Sequence, residues 1–407
     1  MNRRLLDILV CPLDGTPLEL RAWEVNERQL DSSEAARAER FGIDPSTLSP
    51  ETVTGVLVNP SAKRLYPIHG GVSRMLTFST GVAKEFQNRH SSRLRDEFAG
   101  YSFPDEPSMP GERDVLRSFS NEWVNYDWDA QSYWNLTPAA WFRCMRFVLQ
   151  LDRFSVAGKR VLEVGIGIGG VANYVASNEE GEVVGVDLGY AVDAAYKHFG
   201  QNPFLNIVQA SAFALPFADR TFDFVYSFGV IHHTFSTKTA FDSISRLPND
   251  RGRLYVWVYS PFDESRTFKR RALMAMEGIL RPMIWRLPDR MQNVALAPLV
   301  PLYIAHQWMR SLRHPEGAVR YGVREALHAA RDRFTPRYIH RHTEEEVCEW
   351  FRSAGYGALA PGSELDRPSF VPEAFTASTG VSGIRSDDHR QSEALSGAKL
   401  IANSNRR

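Results

Sequence analysis

Residues 161–170 read VLEVGIGIGG, an apolar run that breaks into glycines at 165, 167, 169 and 170. Such a run can extend as a strand, but the glycines then force a tight turn, because they alone adopt positive φ freely and let backbone approach a ligand closely. The same alternation continues downstream. KRVLEV, GEVVGVD, FLNIVQA, TFDFVYSFG and GRLYVWVY read as strands, with GGVANYVASNEE and YAVDAAYKHFG as helices between the first three. Strands that are apolar throughout and alternate with helices predict an α/β fold: a Rossmann-like, doubly wound, mostly parallel sheet. The expected ligand site is the crevice at the carboxyl ends of its strands.

The glycines fit two patterns, G-x-G-x-x-G through Gly165, Gly167 and Gly170, or G-x-G-x-G through Gly165, Gly167 and Gly169. Asp187, which closes the next strand, suits a ribose in either case. Glu163 separates them. A dinucleotide-binding strand would carry an aliphatic side chain two positions before the first glycine, and a buried carboxylate there is costly without a cationic partner. An amine-bearing ligand supplies that partner.

The succession E-x-G-x-G-x-G, VVGVDLG, ALPFADRTFDFVYSFGVIHHT and GRLYVWVY resembles the class I S-adenosylmethionine-dependent methyltransferases. Within them it is similar to the type 11 group that includes the ubiquinone and menaquinone methyltransferases. The resemblance implies that Gly165, Gly167 and Gly169 line the methionine and ribose portion of the cofactor and that Glu163 faces its amino group. It further implies Asp187 on the ribose hydroxyls, Leu188 beside the adenine, and Ala212 near the exocyclic amine. The family's usual Asp in that loop is Ser211 here, so a charge-assisted contact is lost. Phe228 and Gly229 fall where the family places backbone around the reactive methyl.

His232 and His233 follow that strand and are the candidates for a general base, a role that near-neutral histidines suit. The competing reading is that they cap the next helix or pack on the substrate side. Trp123, Tyr126 and Trp128 in EWVNYDW could cover the sulfonium through their ring faces, although core packing is the commoner use of such side chains. DRFTPRYIHRHT (332–343) is expected to contribute to the acceptor pocket.

The remaining chain divides by composition. Residues 1–78 read as a small β module around a helix-prone insert, and 79–150 as an aromatic-rich helical cap or linker. The methyltransferase domain spans 151–384. A locally basic, mostly helical insertion at about 260–335 follows its fifth strand, read either as a substrate-covering lid or as a solvated amphipathic surface, and a polar tail, expected to be disordered, follows at 385–407. In the module, CPLDG and VNPSA resemble the two knuckles of a zinc ribbon, similar to the activator subunit of tRNA and release-factor methyltransferases. A structural zinc site wants four ligands, commonly paired cysteines. Cys11 is present, but Asp14, Asn59 and Ala62 stand where the other sulfurs would be. No metal is expected, a Cys11, Asp14 and His69 set being the remote alternative.

Lys plus Arg and Asp plus Glu are both 48, so no global field recruits nucleic acid. Three unpaired cysteines and the lack of a long apolar run fit a cytoplasmic chain without a transmembrane segment. The expected activity is methyl transfer to oxygen, nitrogen or carbon of a small bacterial metabolite, such as a secondary-metabolite or glycan precursor. The alternatives are a methyltransferase acting on tRNA or a translation protein, and a non-catalytic binding protein that keeps the fold.

Overall fold

The computed structural model describes residues 1–124, 136–261, 268–313, 320–372 and 378–386. Their strands are β1 (Glu19–Asn26), β2 (Glu51–Asn59), β3 (Arg64–His69), β4 (Val72–Arg74), β5 (Arg160–Val164), β6 (Glu182–Asp187), β7 (Leu205–Gln209), β8 (Phe222–Phe228), β9 (Pro248–Val258), β10 (Tyr356–Pro361) and β11 (Thr379–Arg385). All join one sheet in the order β1-β2-β3-β4-β7-β6-β5-β8-β9-β11-β10. The pairs from β7 through β9 are parallel, and β11 inserts antiparallel beside β9. This is the doubly wound sheet that the alternating segments predict.

Side chains along the central strands alternate between two cores. Leu162, Val164, Val184, Val186 and Val225 belong to one, Val161, Val183, Ile207, Phe224 and Tyr226 to the other. Period-2 alternation therefore carries apolar residues to both faces, which is why these strands read as continuous apolar runs. Glu163 shares its face with Val161 and points into the second layer.

The amino-terminal module continues this sheet. β4 pairs parallel with β7 through Ser73 and Val208, Arg74 and Gln209, and Met75 N–H donates to Gln209 O at 2.7 Å. Leu57, Tyr66, Ile68 and Met75 enter the same core cluster as Val184, Val208 and Phe217. The buried Arg74 guanidinium pairs with Asp193 on helix Ala191–Phe199, and Arg4 pairs with Glu182 at 2.6 Å. The polar insert DSSEAARAER forms helix Ser32–Arg40 behind a capping box of Asp31 and Glu34.

β10 and β11 arise from YGALAP and TGVSGIR, segments whose glycines hide them from a strand pattern. The glycines of β11 have a packing cause. A Cβ at Gly380 would sit 2.7 Å from the Tyr255 hydroxyl, and one at Gly383 would lie 2.8 Å from both Leu359 and Phe351.

The insertion contains helices Phe268–Ile284, Asp289–Leu296, Val300–Arg313 and Val323–Phe334. They close around a small core of Ile284, Leu296, Ala330 and Phe334. Glu277, 3% exposed, anchors the layer by pairing with Arg281, with Arg333 at 2.8 Å and with Arg341 at 3.0 Å. Among the described residues no helix is long and apolar enough to cross a membrane. The tail beyond Ser386 lies outside the described residues.

Candidate functional site

At the carboxyl ends of β5, β6 and β8 lies a cavity of about 390 Å³, within the size range of small-molecule sites. Gly165, Gly167 and Gly169 have φ of 92°, 53° and 87°, whereas Gly170 opens helix Gly170–Asn178 without a positive φ. The G-x-G-x-G set is therefore the one that the backbone requires. A Cβ at Gly165 would come within 2.1 Å of Val230, so this glycine also answers to close packing. Gly165 and Gly167 line the cavity; Gly169 is not on its wall but begins the helix, against Ala195 and Phe199.

Two carboxylates stand on either side of the turn. Asp187 at the end of β6 accepts from Gly167 N–H at 3.0 Å and Gly189 N–H at 2.8 Å. Glu163 is 5% exposed, and its Oε2 accepts the Tyr226 hydroxyl at 2.9 Å. Burial pushes the Glu163 carboxyl up to about 8, with the nearby Asp187 adding to the shift, and burial also raises Asp187. A cationic ligand would reverse this by favouring the ionised form. A buried carboxylate, Glu163, and a half-buried one, Asp187, on the same cavity thus fit a ligand carrying an amine and ribose hydroxyls.

Leu188, Ala212, Phe228 and Gly229 are on the cavity wall, as is Ser211, whose hydroxyl accepts from Phe213 N–H at 3.1 Å. Sequence reasoning missed the neighbour of Ser211. Glu112, at the start of helix Glu112–Val124, is 6% exposed, lines the same cavity and lies beside the Ser211 hydroxyl. It accepts from Met109 N–H at 2.9 Å, while its buried Oε1 completes no hydrogen bond of normal geometry among the described residues. No local motif marks Glu112, because its position depends on a helix far from the glycine turn in sequence.

The opposite wall is aromatic. Phe228 stacks on Trp257 with centroids 4.5 Å apart, Trp141 meets Phe228 edge-on at 6.0 Å, and Phe119 lies 5.2 Å from the His233 ring. His233 is on the cavity wall; His232 is fully buried behind it, 4.1 Å from the Tyr259 ring. His233 Nδ1 donates to Tyr338 O at 2.9 Å, since a carbonyl can only accept. That bond leaves Nε2 as the acceptor nitrogen of a neutral ring. Burial holds His233 down to about 4 and His232 well below the ordinary histidine range.

Segment 332–343 is drawn into the site by backbone. His340 N–H donates to His232 O and His342 N–H to Tyr259 O, both at 2.9 Å. Asp332, unassigned by the sequence, joins the cavity wall, and burial raises its carboxyl. The side chain of Trp123, and all of Tyr126 and Trp128, lie outside the described residues.

The two knuckles of the amino-terminal module are joined without thiolate pairs. Asn59 Nδ2 donates to Asp14 Oδ2 at 2.9 Å and to Thr16 Oγ1 at 2.7 Å, and its Oδ1 accepts from Ala62 N–H at 3.0 Å. Cys11 Sγ meets the Tyr66 hydroxyl at 3.2 Å instead. His69 lies at the far end of β3 from Arg64, which pairs with Asn59, and packs against Phe86. At the usual rise per residue that is roughly 17 Å away, so it cannot share a site with Cys11 and Asp14.

Residues 162–256 match the family of methyltransferase domains, and residues 2–71 match Trm112p-like proteins. An O-methyltransferase, rstn1, of Aspergillus nomiae is 30% identical over 25% of this chain and 47% of its own length. A probable tRNA methyltransferase 9B of Mus musculus is 29% identical over 37% of this chain and 32% of its own. The chain thus spans less than half the length of these curated relatives. Among solved structures, phosphoethanolamine N-methyltransferase 2 of Haemonchus contortus, in complex with phosphomonomethylethanolamine and S-adenosylhomocysteine, is 14% identical. It covers 70% of this chain and 62% of its own, with a TM-score of 0.41. A Haloferax volcanii complex of the Trm112 methyltransferase activator with a methyltransferase is 15% identical over 62% of this chain and 98% of that one, with a TM-score of 0.33. One polypeptide thus holds a segment, 162–256, that matches a methyltransferase domain and a segment, 2–71, that matches a Trm112p-like module.

Proposed function

We propose that the protein is an S-adenosylmethionine-dependent methyltransferase whose acceptor is a small, largely apolar molecule. The observation that carries the reading is the pair of carboxylates, Glu163 buried and Asp187 half-buried, beside a left-handed glycine turn on one cavity. When bound, the cofactor supplies an electrophilic methyl on a sulfonium.

Glu163 would hold the amino group as an ionised carboxylate, with Tyr226 keeping its second contact. Asp187 would orient the ribose hydroxyls while retaining Gly167 and Gly189 as donors. Glu112 would take the adenine's exocyclic amine, a contact the serine at 211 can make only weakly. A carboxylate supplied from the cap helix thus compensates for the residue absent from the loop. Phe228, Trp257 and Trp141 would exclude water and face the sulfonium side with aromatic surface. Transfer is an in-line displacement, so alignment contributes most of the acceleration.

Of the two histidines only His233 lines the cavity; its Nε2, with the tautomer fixed by Tyr338, would accept a proton from the acceptor as a weaker base than the near-neutral ring expected from the sequence, because burial disfavours its charged form. Replacing His233 by Ala should lower turnover on a hydroxyl or amine acceptor by about 10²-fold with little change in cofactor affinity. The aromatic wall favours a small acceptor over tRNA, because it offers no stripe of cations for phosphates. Thermal unfolding with S-adenosylhomocysteine tests the reading: saturable stabilisation supports it, and no shift at saturating ligand contradicts it.

A further inference from the structure

The insertion is apolar on the wrong side for a helix layer exposed to water. Of twelve large hydrophobic side chains that the described residues leave exposed, nine lie between 279 and 323. Helix Val300–Arg313 is the clearest case. It turns Tyr303, Ile304 and the buried Gln307 inward, while Leu302, Met309 and Leu312, exposed by 65%, 50% and 59%, point out with Ala305 and Trp308. At 100° per residue these five outward residues fall within roughly a third of the helix circumference. Ile279 and Met283 extend the patch on helix Phe268–Ile284, and Met291 and Val294 on helix Asp289–Leu296.

Charge accompanies the patch. Between 268 and 313 eight Lys and Arg residues stand against two carboxylates, in a chain whose Lys plus Arg and Asp plus Glu totals are equal. One of the two, Glu277, is buried and already consumed by arginines. Arg286 and Arg290 remain exposed beside the apolar residues. A polar protein surface would match neither feature. The combination of outward Leu, Met and Trp with flanking arginines fits the headgroup and upper acyl region of an anionic bilayer. Helix Val300–Arg313 has 14 residues, too short to span a bilayer, so it would lie in the interface.

From these observations we propose that the insertion docks the protein on an anionic phospholipid surface through the outward face of helices Phe268–Ile284, Asp289–Leu296 and Val300–Arg313. Helix Val323–Phe334 packs behind that face and carries Asp332 on the cavity wall. Phe235, 44% exposed, stands on the same wall. Docking would therefore bring the acceptor side of the cavity near the lipid surface, where amphiphilic molecules concentrate. The docking claim itself does not rest on methyl transfer.

Co-sedimentation of the full chain with phosphatidylglycerol vesicles and with phosphatidylcholine vesicles tests it. The wild type should bind the anionic vesicles and bind the zwitterionic ones at least about tenfold more weakly. The triple variant Leu302→Ser, Met309→Ser, Leu312→Ser should lose at least about tenfold in anionic-vesicle affinity while unfolding at the wild-type temperature. Should that variant fold poorly, Arg286→Gln with Arg290→Gln should weaken anionic binding alone, and brominated lipids should quench Trp308 in the wild type more than in the bulk of the protein, the contribution being lost in Trp308→Phe. No vesicle binding by wild type overturns the proposal. So does equal binding by the variants, or a wild-type dimer that the triple variant makes monomeric without vesicle binding, which would assign the face to a second copy. Cofactor binding measured on the same preparation separates failure of docking from failure of the enzymatic reading.

Discussion

The glycine turn at β5 and the knuckles near β2 are both loops that resemble ligand sites, yet they have kept different things. The turn holds three left-handed glycines, with Glu163 and Asp187 on the cavity wall beside it. The knuckles retain their shape but carry one sulfur, with Asn59 joining Asp14, Thr16 and Ala62 where a metal would join four ligands. At the turn burial raises the carboxyls of Glu163 and Asp187, whereas in the knuckles hydrogen bonds hold Asp14 down to about 2. The balance of burial against hydrogen bonding, rather than motif, separates the two.

The largest effect is expected at the turn. Asp187→Ala should lower cofactor affinity at least about 100-fold, because two N–H donors lose their acceptor as well as the ribose losing its own. Calorimetric titration measures it. If the variant binds like wild type, the turn is not a cofactor site.

Glu163 offers a test through protons. Its carboxyl lies near 8 when folded against an ordinary value near 4.5, so the folded chain binds the extra proton and stability falls as pH rises between those values. Relative to wild type, Glu163→Gln should gain on the order of 2–3 kcal/mol as pH is raised from about 5 to about 8. Urea unfolding at both pH values measures the difference. His233, held near 4, acts in the opposite sense: below about 6.5 the unfolded chain takes up a proton that the folded one refuses. The His233→Gln variant should therefore lose less stability on acidification than wild type.

Glu112→Gln should weaken cofactor binding by about tenfold and leave S-adenosylmethionine saturable. An unchanged affinity would remove Glu112 from the adenine site.

The knuckles should give the smallest change. Asn59→Ala should destabilise by about 1 kcal/mol, and a chelator should leave the unfolding midpoint where it was. Asp14 is held down to about 2, chiefly by the Thr16 hydroxyl. Its contribution is present above the ordinary carboxylate range and is lost only as pH falls toward 2.

The strands of the central sheet were legible because both their faces are buried, so their apolar runs are unbroken. β11 was not, since Gly380 and Gly383 make room for the aromatic rings and aliphatic side chains of neighbouring elements. Likewise Glu163 and Asp187 could be read from one loop and the strand beside it. Glu112 could not, because it reaches the cavity from a helix whose placement depends on the whole fold; Asp332 belongs to the segment 332–343 that the sequence marks for the pocket without singling out the residue. The junction of β4 with β7 was also hidden: a parallel pairing between residues 73 and 208 leaves no local sign.

The most direct test is calorimetric titration of the full chain with S-adenosylmethionine near neutral pH, in two buffers of different ionisation enthalpy. The account predicts one saturable site and release of a proton to the buffer as Glu163 ionises against the ligand's amine, with the proton release absent in Glu163→Gln. A well-folded wild-type protein that produces no binding heat in either buffer and shows no stabilisation on heating with the ligand would contradict it.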